Sequence, residues 1–237
     1  MADPAPPIAV RNELLTALPP DILAEVLRRC RPLSLTVRET LVAADSTIEA
    51  VYFVESGWVS LVATLDDGSQ AEVGLIGREG MVGLPLIAGV DTGFEEAFVQ
   101  ADGTALQMEA GAFRRSLEEI PALRSRLFRY AEGMRAQTTQ TAACNGRHAL
   151  EQRLARWLLM AHDRAESDEL PVTQEFLALM LCVYRPSITV VAGILQRAGI
   201  IRYGRGHITV LDRSALEATA CDCYRVAKRR FDRLLNQ

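Results

Sequence analysis

The hydrophobic period of this chain changes twice along its length, and that alternation constrains the fold more than any single motif does. Ten of the sixteen glycines fall between Gly57 and Gly111. In the same region, residues 50–54, 58–62 and 71–76 form short β-branched or aromatic runs. Turn residues bound them, Glu55-Ser56-Gly57 on one side and Asp66-Asp67-Gly68-Ser69 on another. Many short strands with regular turn signals predict an antiparallel roll or sandwich. Before it, Leu14, Leu15, Leu18, Ile22, Leu23, Val26 and Leu27 recur at helical spacing around Pro19-Pro20, which predicts two short packing helices. After it, from Phe113, the period is helical again. The fold class predicted is α+β.

The helical stretch after Pro121 carries the longest pattern. Leu123, Leu127, Tyr130, Met134, Gln137, Thr141 and Cys144 alternate in steps of four and three, a heptad seam over three repeats. The stripe from Leu123 through Thr141 predicts a symmetric dimer seam with a second copy of the chain; the alternative partner is the helix's own domain. The first half of the stripe is apolar and the second is polar. Asn145-Gly146 then reads as the break and hinge. A new amphipathic helix follows, with Leu150, Leu154, Trp157, Leu158 and Ala161 on one face, and residues 163–169 read as a polar linker.

Residues 170–201 read as helix, tight turn, helix. Thr173 is placed to cap the first helix, whose buried face is Phe176, Leu177 and Met180. A turn at 181–184 leads into a second helix starting near Arg185-Pro186, where proline is tolerated, and Gly199 ends it. Ile188, Val191, Ala192 and Leu195 share its buried face. Arg185, Ser187, Thr189 and Val190 are left outside. Two short strands follow around Gly204-Arg205-Gly206, which completes a winged helix with a basic tip. That shape points to double-stranded DNA as a partner. Arg185 can reach guanine edges, and Ser187 and Thr189 bases or phosphate, with Thr173, Gln174 and Tyr184 beside them. Arg202, Arg205 and His207 are expected against the DNA backbone.

Charge agrees with that placement. The chain carries −4 overall, but residues 170–237 hold ten Lys/Arg against five Asp/Glu, or +5, which leaves −9 on the rest. Beyond the wing, Ser214 to Glu217 reads as a capping box opening one further helix through Ala220, Cys223, Ala227 and Leu234. Its Lys228-Arg229-Arg230 run is expected on a solvated face.

The order of a β-roll, a long helix, Val172-Thr173-Gln174-Glu175, Tyr184-Arg185-Pro186-Ser187-Ile188-Thr189 and Leu195-Gln196-Arg197-Ala198-Gly199-Ile200-Ile201 resembles the catabolite-activator and fumarate-nitrate-regulator (CRP/FNR) superfamily. The resemblance covers roughly residues 14–212. It implies a sensor roll over 14–117, a dimerisation helix over 118–145 and a winged helix-turn-helix over 146–237. It also implies a homodimer on a palindromic operator, an effector in the roll, and RNA polymerase as a candidate partner. Arg185 falls on the family's base-reading arginine. Pro186 and Val190 stand where better-known members carry Glu and Arg, so a different operator is expected.

The effector pocket departs from the cyclic-nucleotide sensors the sequence resembles. In the stretch Gly80-Met81-Val82-Gly83-Leu84-Pro85, Leu84 replaces the ribose-binding glutamate, and Glu95-Glu96-Ala97 replaces Arg-Ser-Ala. Two carboxylates repel a phosphodiester where an arginine fork is needed. Only Thr138 and Thr139 match hydroxyls that meet the base in those sensors. A cyclic-nucleotide response and a module using its C-terminal domain for protein contacts remain the competing readings.

Five cysteines at irregular spacing, Cys30, Cys144, Cys182, Cys221 and Cys223, read as reduced structural thiols. Cys221-Asp222-Cys223 is the exception left open, with no second pair and no histidine nearby in sequence to complete a four-ligand site. Only Cys30 precedes the long helix, so the cysteine cluster of the oxygen-sensing branch is missing. His148, His162 and His207 all lie outside the roll. No metal, cofactor or enzymatic activity is expected, since no nucleophile elbow, P-loop or paired catalytic motif is present. No run reaches the roughly eighteen apolar residues of a membrane span, and residues 1–7 lack the features of a signal peptide, so a cytoplasmic protein is expected.

Overall fold

The computed structural model describes residues 10–235; the leader over residues 1–7 lies outside them. Two short helices open the described chain, α1 (Glu13–Thr16) and α2 (Pro20–Leu27). Asn12 caps α1 with its side-chain oxygen and donates through Nδ2 to the Val54 and Gly80 carbonyls, both at 2.8 Å. A buried asparagine with both ends used ties the entry of the chain to the sheet.

The roll is a six-stranded antiparallel sheet of β1 (Arg31–Leu35), β2 (Thr40–Val42), β3 (Ala50–Thr64), β4 (Gln70–Ile76), β5 (Met81–Val82) and β6 (Glu96–Glu109). Its central path runs β1-β6-β3-β4, with β2 on β6 and β5 on β3. Sequence patterning splits β3 in two at Glu55-Ser56-Gly57. The structure keeps it continuous through 15 residues, with register shifts against β6 between Val54 and Val59. Gly57 sits at φ +71°, and a Cβ there would lie 2.5 Å from the Ala101 carbonyl oxygen. Glycine supplies a bulge here rather than a chain reversal.

Two helices leave the roll, α3 (Ala110–Glu119) and α4 (Pro121–Arg147). Helix α4 runs straight through Asn145-Gly146, the expected break, and is capped at His148, whose amide donates to the Cys144 carbonyl. A helical glycine costs only about 1 kcal/mol, too little by itself to end a helix of 27 residues. The C-terminal portion comprises α5 (Leu150–His162), β7 (Glu169–Leu170), α6 (Gln174–Met180), α7 (Arg185–Arg197), β8 (Ile201–Gly204), β9 (His207–Val210) and α8 (Arg213–Thr219). Two-residue β7 pairs with β9 inside the stretch read as a polar linker. The C-terminal helix is not continuous: α8, capped by Asp212 rather than Ser214, ends at Thr219 with Ala220 extended, and α9 (Cys223–Leu235) starts anew.

The heptad stripe of α4 is the main correction. Leu123, Leu127, Tyr130, Met134, Gln137 and Cys144 are all buried within the chain, and half-buried Thr141 accepts a hydrogen bond from Arg156 at 2.8 Å. The first four belong to the core of the roll. The Tyr130 hydroxyl donates to the Met81 carbonyl (3.2 Å) and accepts from the Met81 amide (3.1 Å). Its ring meets Phe231 of α9 edge-on at 5.9 Å. Gly133 makes room for that contact, since a Cβ there would come within 2.9 Å of the Phe231 ring. The stripe predicted as a dimer seam therefore faces the chain's own roll and α9, the partner that an amphipathic period alone could not distinguish.

The winged helix docks on the roll through a second core that joins Trp58, Val62, Leu75 and Ala101 to helices α5–α7. Polar groups fix the pose. Trp157 donates to the Glu72 carboxylate at 2.7 Å, and Ser60 donates to its other oxygen at 2.8 Å. Arg164 donates to Glu79 at 2.8 Å. Burial lifts the Glu72 carboxyl to about 7, against the opposing pull of the Ser60 and Trp157 hydrogen bonds and the charges of Arg164 and Arg156. An acid raised above its unfolded value contributes stability below that value and loses it as pH rises through the folded one. Replacing Glu72 by Gln keeps the shape without the charge. The stability of Glu72→Gln relative to the wild-type chain is expected to rise by about 1–3 kcal/mol between pH 5 and 8. Thermal melts across that range check it, and a difference independent of pH would refute the assignment.

Candidate nucleic-acid interface and effector cavity

Helices α6 and α7 meet at 108°, within the roughly 90–120° of a DNA-binding helix pair. Leu177, Met180, Ile188, Ala192 and Leu195 fill the angle between them, with Phe176 and Val191 half-buried at its edge. Thr173 caps α6 by accepting from the Phe176 amide at 3.1 Å, so its hydroxyl has a structural partner. Cys182, at φ +52°, makes the tight turn.

Helix α7 turns its other face outward. Tyr184 is 86% exposed and Val190 63%, and Arg185 and Thr189 are exposed beside them with Ser187 half-buried. Arg185 Nε lies 2.9 Å from a Glu175 oxygen, and Thr189 donates to Gln174 at 2.7 Å. Thr173, Gln174, Tyr184, Arg185, Ser187 and Thr189 therefore form one surface. Arg205 and Gly206, the latter at φ +76°, turn the β8–β9 hairpin, leaving Arg202 and Arg205 exposed. His207 differs from its expected outward role. It folds back over Gly204, half-buried, with Nδ1 3.1 Å from the Arg205 carbonyl oxygen.

A cavity of about 410 Å³ opens between the roll and α4. Gly83, Leu84, Glu95, Thr138 and Thr139 line it, as expected from sequence, together with Ile48, Leu61, Met81, Ala131, Met134 and Arg135. Two expected residues are not part of it. Gly80 is packed under the Tyr130 hydroxyl, which a Cβ would meet at 2.2 Å. Glu96 accepts from Thr40 at 2.9 Å. Of the lining groups, Arg135 is held in a two-point bond to Glu132 (2.6 and 2.7 Å), and Thr138 and Thr139 donate to the Val73 and Arg135 carbonyls. The lining is mostly apolar, with one carboxylate, Glu95, where an anion-binding fork would stand.

Three of the five cysteines come together, among them the pair left open from sequence. Cys144, Cys221 and Cys223 are buried together, and His148 reaches the same point. The histidine that sequence proximity could not supply to Cys221-Asp222-Cys223 comes from the cap of α4. Burial pushes the Cys144 thiol up to about 12, opposed by the Arg156 guanidinium.

Comparison with known proteins follows this division. Residues 32–119 match the cyclic nucleotide-binding domain family and residues 152–219 the Crp-like helix-turn-helix domain family. No curated protein matches the chain. Among solved structures it is similar to FixK2 from Bradyrhizobium japonicum, with a TM-score of 0.68 and 16% identity over 81% of this chain and 98% of that one. It is similar also to the c-di-GMP responsive global regulator CLP from Xanthomonas campestris, with a TM-score of 0.62 and 18% identity over 80% and 98%. A transcriptional regulator of the CRP/FNR family from Thermus thermophilus gives 0.62 and 21% over 80% and 98%. These likenesses establish the fold, and the two domain families in this order establish that the chain belongs to the CRP/FNR superfamily of transcription regulators.

Proposed function

We propose that the protein binds a palindromic operator as a homodimer and that an apolar-bodied small molecule, not a cyclic nucleotide, occupies the roll. The observation that carries the DNA reading is the outward face of α7, where Tyr184, Arg185, Thr189 and Val190 stay exposed while the opposite face is buried. Arg185 exchanges its exposed pair with Glu175, worth at most about 1 kcal/mol, for a guanine edge. Val190 and the Tyr184 ring offer apolar contact to thymine methyls. Arg202 and Arg205 on the wing hairpin meet phosphates.

With the heptad stripe occupied inside the chain, the dimer contact belongs to the exposed side of α4. Phe128 is 53% exposed there, and Arg124, half-buried Ala131, Arg135, Thr138 and Ala142 continue the same face at steps of three and four. An exposed phenylalanine on a long helix fits a symmetric apolar contact better than solvent. RNA polymerase is the further partner consistent with a regulator of this family.

Absence of a phosphate fork supports the reading of the cavity. A volume of about 410 Å³ suits a small molecule, and its apolar walls contribute affinity by burial. The Glu95 carboxylate opposes an anionic ligand.

Three measurements test these points. Arg185→Ala is expected to lose about 1–3 kcal/mol on the selected operator and to relax preference at one base pair per half-site. Arg205→Ala is expected to weaken all sequences alike and lower the salt slope by about one. Equal losses on operator and random duplex for both variants would sink the assignment. Phe128→Glu should yield folded monomers by light scattering, whereas Leu127→Ala should cost about 2–5 kcal/mol of stability and leave the dimer contact alone; a dimer surviving Phe128→Glu moves the seam. Cyclic AMP should leave the melting temperature unchanged, and a rise that saturates with nucleotide would overturn the reading of Glu95.

A further inference from the structure

Four potential ligand atoms converge where the long helix ends and the C-terminal helix begins. Cys144 lies in the last turn of α4, His148 caps that helix one turn later, and Cys221 and Cys223 flank the start of α9. Their Sγ and imidazole nitrogen atoms all lie within 4.8 Å of one another. Cys144 and Cys221 approach to 3.5 Å between sulfurs, and Cys223 Sγ lies 3.5 Å from His148 Nδ1. Two thiolates on a tetrahedral zinc ion with Zn–S bonds of about 2.3 Å sit about 3.8 Å apart, and a thiolate and an imidazole about 3.6 Å. The cluster is already close to that spacing without any rearrangement of the backbone.

We propose that Cys144, His148, Cys221 and Cys223 bind one zinc-class divalent ion with tetrahedral coordination. Three sulfurs and one imidazole are a closed structural set with no open position for substrate. Three thiolates leave the site with one net negative charge once a divalent ion is bound. The buried Arg156 guanidinium, whose charge acts directly on Cys144, compensates it. Gln140 donates to Cys223 Sγ at 3.0 Å, the hydrogen bond to a ligating sulfur that outer-sphere groups supply in such sites. An iron–sulfur cluster spreads its thiolates over several irons, and the tight grouping here fits a single ion instead.

Placement gives the ion a consequence. Cys144 and Cys221 are 77 positions apart, and helices α5 to α8 with the whole wing lie between the two ligand pairs. One ion therefore closes both ends of the DNA-binding portion against the foot of α4. This extends the DNA-binding reading and does not depend on it, because metal content and DNA binding are measured separately.

Protein purified reduced is titrated with cobalt(II), whose tetrahedral thiolate complexes absorb intensely in the visible, and then with zinc, while bound metal is counted by elemental analysis. The expected result is one equivalent per chain, with cobalt displaced by zinc. Cys221→Ser with Cys223→Ser should lower the metal content to below about a tenth of the wild-type value, while Cys30→Ser and Cys182→Ser retain it. Gln140→Leu, which leaves every ligand in place, should weaken zinc affinity by about 10- to 100-fold. A reduced wild-type chain that takes up neither ion would overturn the proposal, whatever the variants do. So would a Cys144–Cys221 disulfide as the native state, or iron and sulfide in place of a single ion. Operator binding by a reduced chain that takes up neither ion would leave the DNA reading standing and the site refuted; a chain that takes up one zinc without operator binding would do the reverse.

Discussion

One buried stripe on α4 joins the roll to the C-terminal helix, and the rest of the architecture depends on it. Leu123, Leu127, Tyr130 and Met134 are inserted into the core of the roll, and each large side chain so buried contributes about 1.5–3 kcal/mol. Tyr130 has two partners at once: its hydroxyl is satisfied by the Met81 backbone, and its ring edge is covered by Phe231 of α9. Because the stripe is spent inside the chain, the outer face of the same helix is what remains for a second copy. The cavity, the C-terminal helix and the cysteine cluster all inherit their positions from it.

Much of the architecture could be read from residue patterns because it is local. The change from period two to period 3.6, the two N-terminal helices and the turn from α6 into α7 each depend on neighbours within a dozen positions. Arg185-Pro186 marks the start of α7 for a reason internal to the helix, the missing proline amide. What could not be read depends on distant partners. A heptad stripe has the same period whether it meets a second helix or its own sheet. Glycine at 57 looks like a turn until the Ala101 carbonyl opposite is known. The helical glycine at 133 was a usable signal of close approach, since it sacrifices propensity without a turn to justify it.

The clustering of Cys144 and His148 with Cys221 and Cys223 was hidden for the same reason. Spacing rules recognise ligand pairs along the chain, and only Cys221 and Cys223 form an obvious one. Cys144 and His148 are one helical turn apart, so both face the same side of the foot of α4. That i, i+4 relation was visible, but nothing in the sequence says that the start of α9 returns to it across 77 positions. The packing of Phe231 on Gly133 and Leu235 against the roll core is what brings it back.

The two candidate inputs act on one helix. The cavity touches α4 through Ala131, Met134, Arg135, Thr138 and Thr139, and the cysteine cluster grips it from Cys144 onward. Between them, Glu72 and Glu79 of the roll hold Trp157 and Arg164 of the DNA-binding portion. A ligand shifts an equilibrium only by its differential affinity for the two states. Met134 both lines the cavity and packs into the roll core, so a ligand in the proposed pocket would bear on the same helix that leads into the winged helix. A clamp at Cys144 and Cys221 removes freedom from that far end and shortens the list of poses the effector can select. No residue of α7 lines the cavity or belongs to the cysteine cluster, so under the proposed reading both would act on the DNA surface only through α4.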